Sequence, residues 1–310
     1  MGLKPASGVP RTDAPSRSYL RSWASALRPH QWSKNLLIFL PLLLARQFDG
    51  AALATVAAGF LLFCLVASAI YLINDLADLE FDRAHPSKYR RALAAREISQ
   101  RGALGAAAIL LLGAIGAAMV LSPAFGSVLA AYVGLNLLYS FSLKRVPLVD
   151  VVLVGALITM RLVGGMLLLG QPISLWLSGF GLALFTALAM AKRHSELVRA
   201  VRDSRPAPPG RGYTAADLPL TLVFGLGSAA AAVIVVALYF RFEAAATRLY
   251  PALPWLYAVP PVLVSWLARI WLRARRGELD SDPVIFALRD PVSWAHAAAI
   301  IALWVAASAG

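Results

Sequence analysis

Asn74, Asp75, Asp78 and Asp82 fall within YLINDLADLEFDRAHPSKYRR, directly after a long apolar run. Hard oxygen donors bunched at such a point suit one or two Mg²⁺ ions. The residues that follow at once, His85, Lys88, Arg90 and Arg91, suit the phosphate such ions would bring. On a continuous helix Asn74, Asp78 and Asp82 repeat every four residues and share a face, which leaves Asp75 pointing aside. A solvated, capped helix end is the plainer alternative. The position of the acids at the mouth of an apolar run, with basic residues next, favours metal and phosphate.

A second polar group lies in AMAKRHSEL, where Lys192, Arg193, His194 and Glu196 leave another apolar run. A glutamate among apolar residues is costly unless paired or metal-bound, so Glu196 is a candidate second carboxylate of a two-part metal site. An interfacial ion pair with Lys192 or Arg193 is the alternative. His194 either touches phosphate or is an ordinary interfacial imidazole. In VPLVDVVLVGALITMRLVGG, Asp150 opens an apolar run and Arg161 lies three turns deeper on about the same face. An arginine there faces a cavity or a partner, and anion binding is the favoured role. Tyr139 and Lys144 precede Asp150 and are expected to line the same opening. In RPHQWSKNLLIF, Arg28, Gln31, Lys34 and Asn35 carry donors suited to phosphate, with Trp32 at headgroup depth. A basic anchor on anionic lipid would explain Arg28 and Lys34, but not Asn35 at the start of the apolar run.

The elements that position these residues are membrane helices. The 310 residues are 59% hydrophobic and 15% charged, with a mean hydropathy of +0.69, a composition that excludes an ordinary soluble protein. Nine spans are expected, at 32–48, 54–73, 102–121, 124–142, 148–169, 174–191, 219–240, 253–272 and 293–309. The first is interrupted by Pro41 and bracketed by Lys34 and Arg46, which leaves an interfacial or re-entrant helix as its alternative. Residues 1–27 read as a mobile basic tail without the pattern of a cleaved signal, and 28–310 as one domain. Cys64 is the sole cysteine and lies in an apolar run, so it serves neither a disulfide nor a thiolate metal site.

The net charge of +13 is distributed by side, which argues against nucleic acid as the partner. Residues 1–34, 74–101 and 192–211 carry six Lys or Arg each, whereas the alternate connections hold only Arg46, Arg241 and Arg248. By the positive-inside rule the N-terminus and long loops are cytoplasmic, and nine spans leave Gly310 outside. Glycines in the spans, among them Gly113, Gly116, Gly134, Gly155, Gly165 and Gly225, are expected to serve mostly helix packing. Asp280, Asp282 and Asp290 read as solvated loop acids.

Taken together, NDxxDxExDRxHPxK, preceded by RPxQWxKN and followed by YSFxLKxxxxxD, Arg161 and AKRxxEL, resembles the UbiA superfamily of intramembrane prenyltransferases. More narrowly, residues 28–199 resemble its decaprenyl-phosphate phosphoribosyltransferase branch. The resemblance implies an all-α, nine-helix bundle in the bacterial inner membrane with a cytoplasm-facing site. It implies Mg²⁺-dependent transfer of 5-phosphoribose from 5-phosphoribosyl 1-diphosphate to a polyprenyl phosphate, in synthesis of a lipid-linked precursor of cell-wall arabinan. Carried over by position, Asn74, Asp75, Asp78 and Asp82 match the first acidic motif and Glu196 the second. Asp78 and Asp82 would hold magnesium, with Asn74 orienting the diphosphate. Lys34, His85, Lys88, Arg91, Lys144, Arg161 and Lys192 would hold phosphates, supported by Arg28, Gln31, Asn35, Tyr139, Asp150, Arg193 and His194. Membrane lipids are the surroundings, and a homo-oligomer is compatible.

The chain departs from the branch after HPSK. A pattern resembling K-R-x-R-P-I-A-x-G is expected, and Tyr89 stands for an Arg, Ala92 for the Pro and Arg96 for the Gly. The linker SRPAPPGRGYTAADLP either gates the site by moving or is a slack connector. Two rival functions are an aromatic prenyltransferase, whose prenyl diphosphate the same acids would serve, and a non-catalytic lipid transporter with Asp150 and Arg161 as an intramembrane ion pair.

Overall fold

The computed structural model describes residues 18–84, 88–206, 211–279 and 283–309. Among these the ordered elements are helical. A short α1 (Tyr19–Leu27) leads into a 3₁₀ segment, Pro29–Phe39, and α2 (Leu40–Leu44). There follow α3 (Gly50–Ala77), α4 (Leu79–Ala84), α5 (Gln100–Leu121), α6 (Pro123–Phe141), α7 (Val149–Leu168) and α8 (Leu175–Arg202). The chain ends in α9 (Leu218–Leu238), a π-helical turn at Tyr239–Ala244, α10 (Ala245–Thr247), α11 (Val259–Arg275), α12 (Pro283–Arg289) and α13 (Pro291–Ala309). The tail expected to reach residue 27 is therefore helical from Tyr19.

Helix starts follow from side-chain caps. Asp49 accepts from Ala52 N at 2.9 Å, Ser99 from Gly102 N at 3.0 Å, Ser122 from Phe125 N at 3.3 Å and Ser174 from Leu177 N at 2.9 Å. Four of the helices stop in Schellman turns, in which paired five-apart and three-apart backbone bonds close over a left-handed residue. Arg46, Gly170, Ser204 and Gly277 take that place after α2, α7, α8 and α11, and Arg96 takes it after the turn at 91–95.

Among the described residues eight helical stretches are long and apolar enough to cross a membrane. The expected nine included 32–48, and that segment is 3₁₀ and short α-helix instead. It nevertheless runs antiparallel along α3 from one end of the bundle to the other. Arg28 meets Asp75, Trp32 Nε1 donates to Ser68 Oγ at 3.1 Å, and Asn35 Nδ2 donates to Cys64 Sγ at 3.2 Å. At the far end Arg46 donates to Leu249 O at 2.8 Å, and Tyr250 OH to Leu44 O at 2.7 Å. The longer rise of a 3₁₀ helix, about 2.0 Å per residue against 1.5 Å, lets a short apolar run cover that depth.

α7 joins two packed halves. Ile38, Phe63, Phe125 and Leu129 fill one, and Leu188, Met190, Leu263 and Trp271 the other. A Cβ at Gly165 would collide with Ile38 O, and one at Gly155 with Thr186, so both allow the neighbouring chain to lie directly on α7. Gly113, Gly116 and Gly134 differ from the expectation: an added Cβ there meets nothing within 4 Å. Asp290 also differs. It is buried, caps α13 through Ser293 N and Oγ at 2.7 Å each, and takes two bonds from Arg269. The Arg269 guanidinium, then Ser293, hold its carboxyl well below the usual carboxylate range. Asp280 and Asp282 lie outside the described residues.

Candidate active site

α3 carries Asn74 and Asp75 to the end of the bundle where the longer connections gather. Asp75 and Asp82 are buried, and Arg91 Nη1 bridges them, 3.1 Å from Asp75 Oδ1 and 2.6 Å from Asp82 Oδ2. Arg28 Nη2 donates to the same Asp75 oxygen at 2.5 Å, and its guanidinium lies 5.0 Å from the centre of the Tyr71 ring. Lys88 Nζ approaches Asp82 Oδ1 at 3.9 Å. Asp75 is thus the partner of Asp82, and it does not point aside as expected. Positions seven apart on a helix fall nearly in line, and the turn at Asp78, between α3 and α4, sends that residue outward. The Asp78 side chain is 42% exposed and pairs with Lys144 at 3.7 Å.

The second cluster is built on the last turns of α8, which continues eleven residues beyond the expected span and so presents Lys192, Arg193 and Glu196 on one rigid helix. Arg193 Nη1 donates to Glu196 Oε2 at 2.7 Å, and Lys192 Nζ lies 3.9 Å from Glu196 Oε1. Arg193 Nε reaches fully buried Asp150 at 3.1 Å. The segment joining α8 to α9 closes over this pair: Tyr213 OH donates to Asp150 Oδ1 at 2.6 Å and accepts from Leu148 N at 2.8 Å. Burial, and then the bond to Asp150, push the Tyr213 phenol well above its usual range, so it remains a proton donor. Arg211 donates to Tyr139 OH at 2.9 Å and stands 3.5 Å from Asp150 Oδ2. The described part of this linker is therefore docked.

The turn between α6 and α7 connects the two clusters, since Lys144 faces Asp78 while Arg145 O accepts from Gly212 N at 3.1 Å. Arg161 belongs to neither. It is buried in the interior, donating to Asn35 Oδ1 at 2.7 Å, to Leu157 O and to Tyr132 OH at 3.1 Å, with Phe63 and Tyr132 rings beside its guanidinium. Asp150 pairs with Arg193 and Arg211, so the alternative of an Asp150–Arg161 ion pair is replaced. His194 is buried against Thr221, 2.9 Å away, and the Trp271 ring, and is not an interfacial imidazole. Gln31 and Lys34 lie on the 3₁₀ segment. His85 lies outside the described residues. Sequence reasoning missed Arg211 and Tyr213; their only signal was a Pro- and Gly-rich linker, which carries no periodicity.

Among the described residues no three Asp, Glu, His or Cys side chains converge as a metal cluster. Asn74 Oδ1 and Asp82 Oδ1 are nevertheless buried without a hydrogen-bond partner. Two orphaned hard oxygens beside further carboxylates fit Mg²⁺ in kind. Glu196 is paired with Arg193 and Lys192.

The profile of the UbiA prenyltransferase family matches residues 35–296. The uncharacterized protein y4nM of Sinorhizobium fredii is 46% identical over 307 residues, 98% of this chain but 60% of that one, so the chain spans about three fifths of that relative. The nodulation protein NoeC of Azorhizobium caulinodans is 31% identical over 87% of each chain. The decaprenyl-phosphate phosphoribosyltransferase of Mycolicibacterium smegmatis is 35% identical over 199 residues, 62% of each chain. Among solved structures, a UbiA homolog from Archaeoglobus fulgidus bound to GPP and Mg²⁺ superposes with a TM-score of 0.65 at 16% identity, covering 93% of this chain and 100% of that one, a likeness of fold.

Proposed function

The chain belongs to the UbiA prenyltransferase family, and from that premise we propose that it transfers 5-phosphoribose from 5-phosphoribosyl 1-diphosphate to a polyprenyl phosphate, releasing diphosphate. The observation that carries the reading is one end of the bundle on which buried acids and at least six cations, Arg28, Lys88, Arg91, Lys144, Lys192 and Arg193, are set in two adjoining groups. A prenyl diphosphate carries charge at one end only. A donor with phosphates at both ends of a sugar uses two such groups. The relative from M. smegmatis supports the choice of donor, and decaprenyl is the chain length its name gives.

Asn74, Asp78 and Asp82 would hold Mg²⁺, with Asp75 an auxiliary acid. The bound metal supplies charge neutralisation at the departing diphosphate. Lys88, Arg91 and Lys144 exchange their carboxylate partners for diphosphate oxygens and draw charge from the anomeric carbon as its bond to diphosphate lengthens. An oxygen of the acceptor phosphate, already anionic near neutral pH, forms the new bond from the opposite face. No strong base is required, and inversion is the stereochemical outcome. Placement in the bacterial inner membrane, with this end in the cytoplasm, gives the soluble donor access.

The test is product formation by purified protein in detergent with labelled donor, polyprenyl phosphate and Mg²⁺. A chloroform-soluble product that disappears with EDTA and falls by about 10²-fold or more in Asp82→Asn is expected. If folded protein forms none with any lipid length, yet prenylates an aromatic acceptor from a prenyl diphosphate, the aromatic prenyltransferase reading replaces this one.

A further inference from the structure

Asp150 is fully buried, yet three charged or polar groups from two other elements converge on its carboxylate: Arg193 of α8, and Arg211 and Tyr213 of the segment leading to α9. Tyr213 is doubly used, donating to Asp150 and accepting from the backbone of Leu148, whose φ of 67° marks a turn held in a strained conformation. Between them Gly212 lies flat on the α6–α7 turn, where a Cβ would collide with Arg145 O and press on Pro147. The strap is therefore seated on a prepared surface. What it carries is Arg211, which lines, with Arg193, Tyr213 and Leu197, a small, partly open pocket against Glu196. Glu196 is also the wall of an open cleft of about 240 Å³ that Arg199 and Arg205 border.

We propose that Asp150 and Tyr213 are positioning residues that seat the strap, and that Arg211, so placed beside Arg193, binds the 5-phosphate of the donor sugar. This rests on the phosphoribosyl reading above. The cations around Asp75, Asp78 and Asp82 serve the diphosphate end. The opposite end of the sugar carries a dianionic monoester that needs its own guanidinium groups, and the α6–α7 turn holds the second set next to the first. Asp150 touches no substrate in this arrangement. It restrains Arg193 and, through Tyr213, Arg211.

Two measurements on the full chain in detergent test it. Limited trypsin digestion, read by mass spectrometry, follows cleavage after Arg211 against cleavage after Arg202 in the same sample. Tyr213→Phe is expected to speed the first by about tenfold or more relative to the second, because opening of the strap limits access to the bond. Binding titrations then use ribose 5-phosphate, and separately inorganic pyrophosphate with Mg²⁺. Arg211→Gln, with an unchanged melting temperature, is expected to weaken ribose 5-phosphate by about tenfold or more and pyrophosphate by less than about twofold. An unchanged cleavage ratio in Tyr213→Phe overturns the seating role. Pyrophosphate weakened in place of ribose 5-phosphate, or neither weakened, overturns the assignment of Arg211. Wild-type protein that binds pyrophosphate but not ribose 5-phosphate sinks the phosphoribosyl reading and the Arg211 subsite together, while the cleavage ratio still decides the seating.

Discussion

Arg91 holds the first cluster together, because one of its nitrogens satisfies two buried carboxylates that would otherwise repel each other. A divalent cation on Asn74 Oδ1 and Asp82 Oδ1 would share the Asp82 carboxylate with Arg91, so guanidinium and metal compete for its charge. Arg91→Met is expected to destabilise the protein by about 2–3 kcal/mol, below the usual cost of breaking a fully buried pair because the Arg91 side chain is 30% exposed. Added Mg²⁺ then raises the melting temperature of the variant more than that of the wild type. Unfolding can be followed through Cys64, a buried thiol that a fluorogenic maleimide reaches only in the unfolded chain. Equal shifts in both proteins would remove the competition. At this scale the sequence announced the residue types plainly, and Asn74 to Asp82 do lie at one helix end. Which acids face one another was not legible. The turn at Asp78 makes the seven-residue spacing of Asp75 and Asp82 count in place of the four-residue repeat, and Arg28 and Arg91 arrive from distant segments.

At the scale of elements, helix starts were easier to read than helix stops. Asp49, Ser99, Ser122 and Ser174 advertise their caps by residue type, but of the five Schellman turns only those at Gly170 and Gly277 carry the expected residue. Arg46, Arg96 and Ser204 adopt the left-handed conformation without glycine's freedom. Arg96 is the instructive case, since it stands where the branch pattern has glycine. Its φ of 62°, with Glu97 N bonded to Ala92 O at 2.9 Å and its own N to Leu93 O at 3.1 Å, shows an arginine closing a Schellman turn. Leu93, Ala94 and Ile98 pack beneath it against α5 and hold the shape. Arg96→Gly is therefore expected to stabilise the protein by about 1 kcal/mol, by relieving the left-handed strain. A rise in melting temperature in the same thiol assay checks this, and no rise would mean that the side chain has contacts that offset the strain. Apolar length picked out the first segment together with the long helices, but not its helix type, because a 3₁₀ run pinned by Asn35, Trp32 and Arg161 has no α-helical periodicity to recognise.

For the whole molecule, the sidedness of the chain turns on that first segment. The eight long helices alone would return the C-terminus to the side on which Tyr19 begins. The contacts from Arg28 at the Asp75 end to Arg46 and Leu44 at the Leu249 and Tyr250 end carry the Pro29–Leu44 run through the full depth of the bundle. Counted as a passage, that run would make nine and leave the C-terminal end of α13, where Ala307 O accepts from Ala252 N, opposite the acidic clusters. The charge distribution agrees, because the connections at the far end hold only Arg46, Arg241 and Arg248. Fusions at residue 310 decide the matter: alkaline phosphatase is expected to be active there and green fluorescent protein dark. Bright fluorescence would mean that the first segment re-enters and does not cross. The donor site would then have to be reconciled with an even number of passages, and the strap and both acidic clusters would still share one face, because their contacts with the α6–α7 turn do not depend on which side of the membrane that face meets.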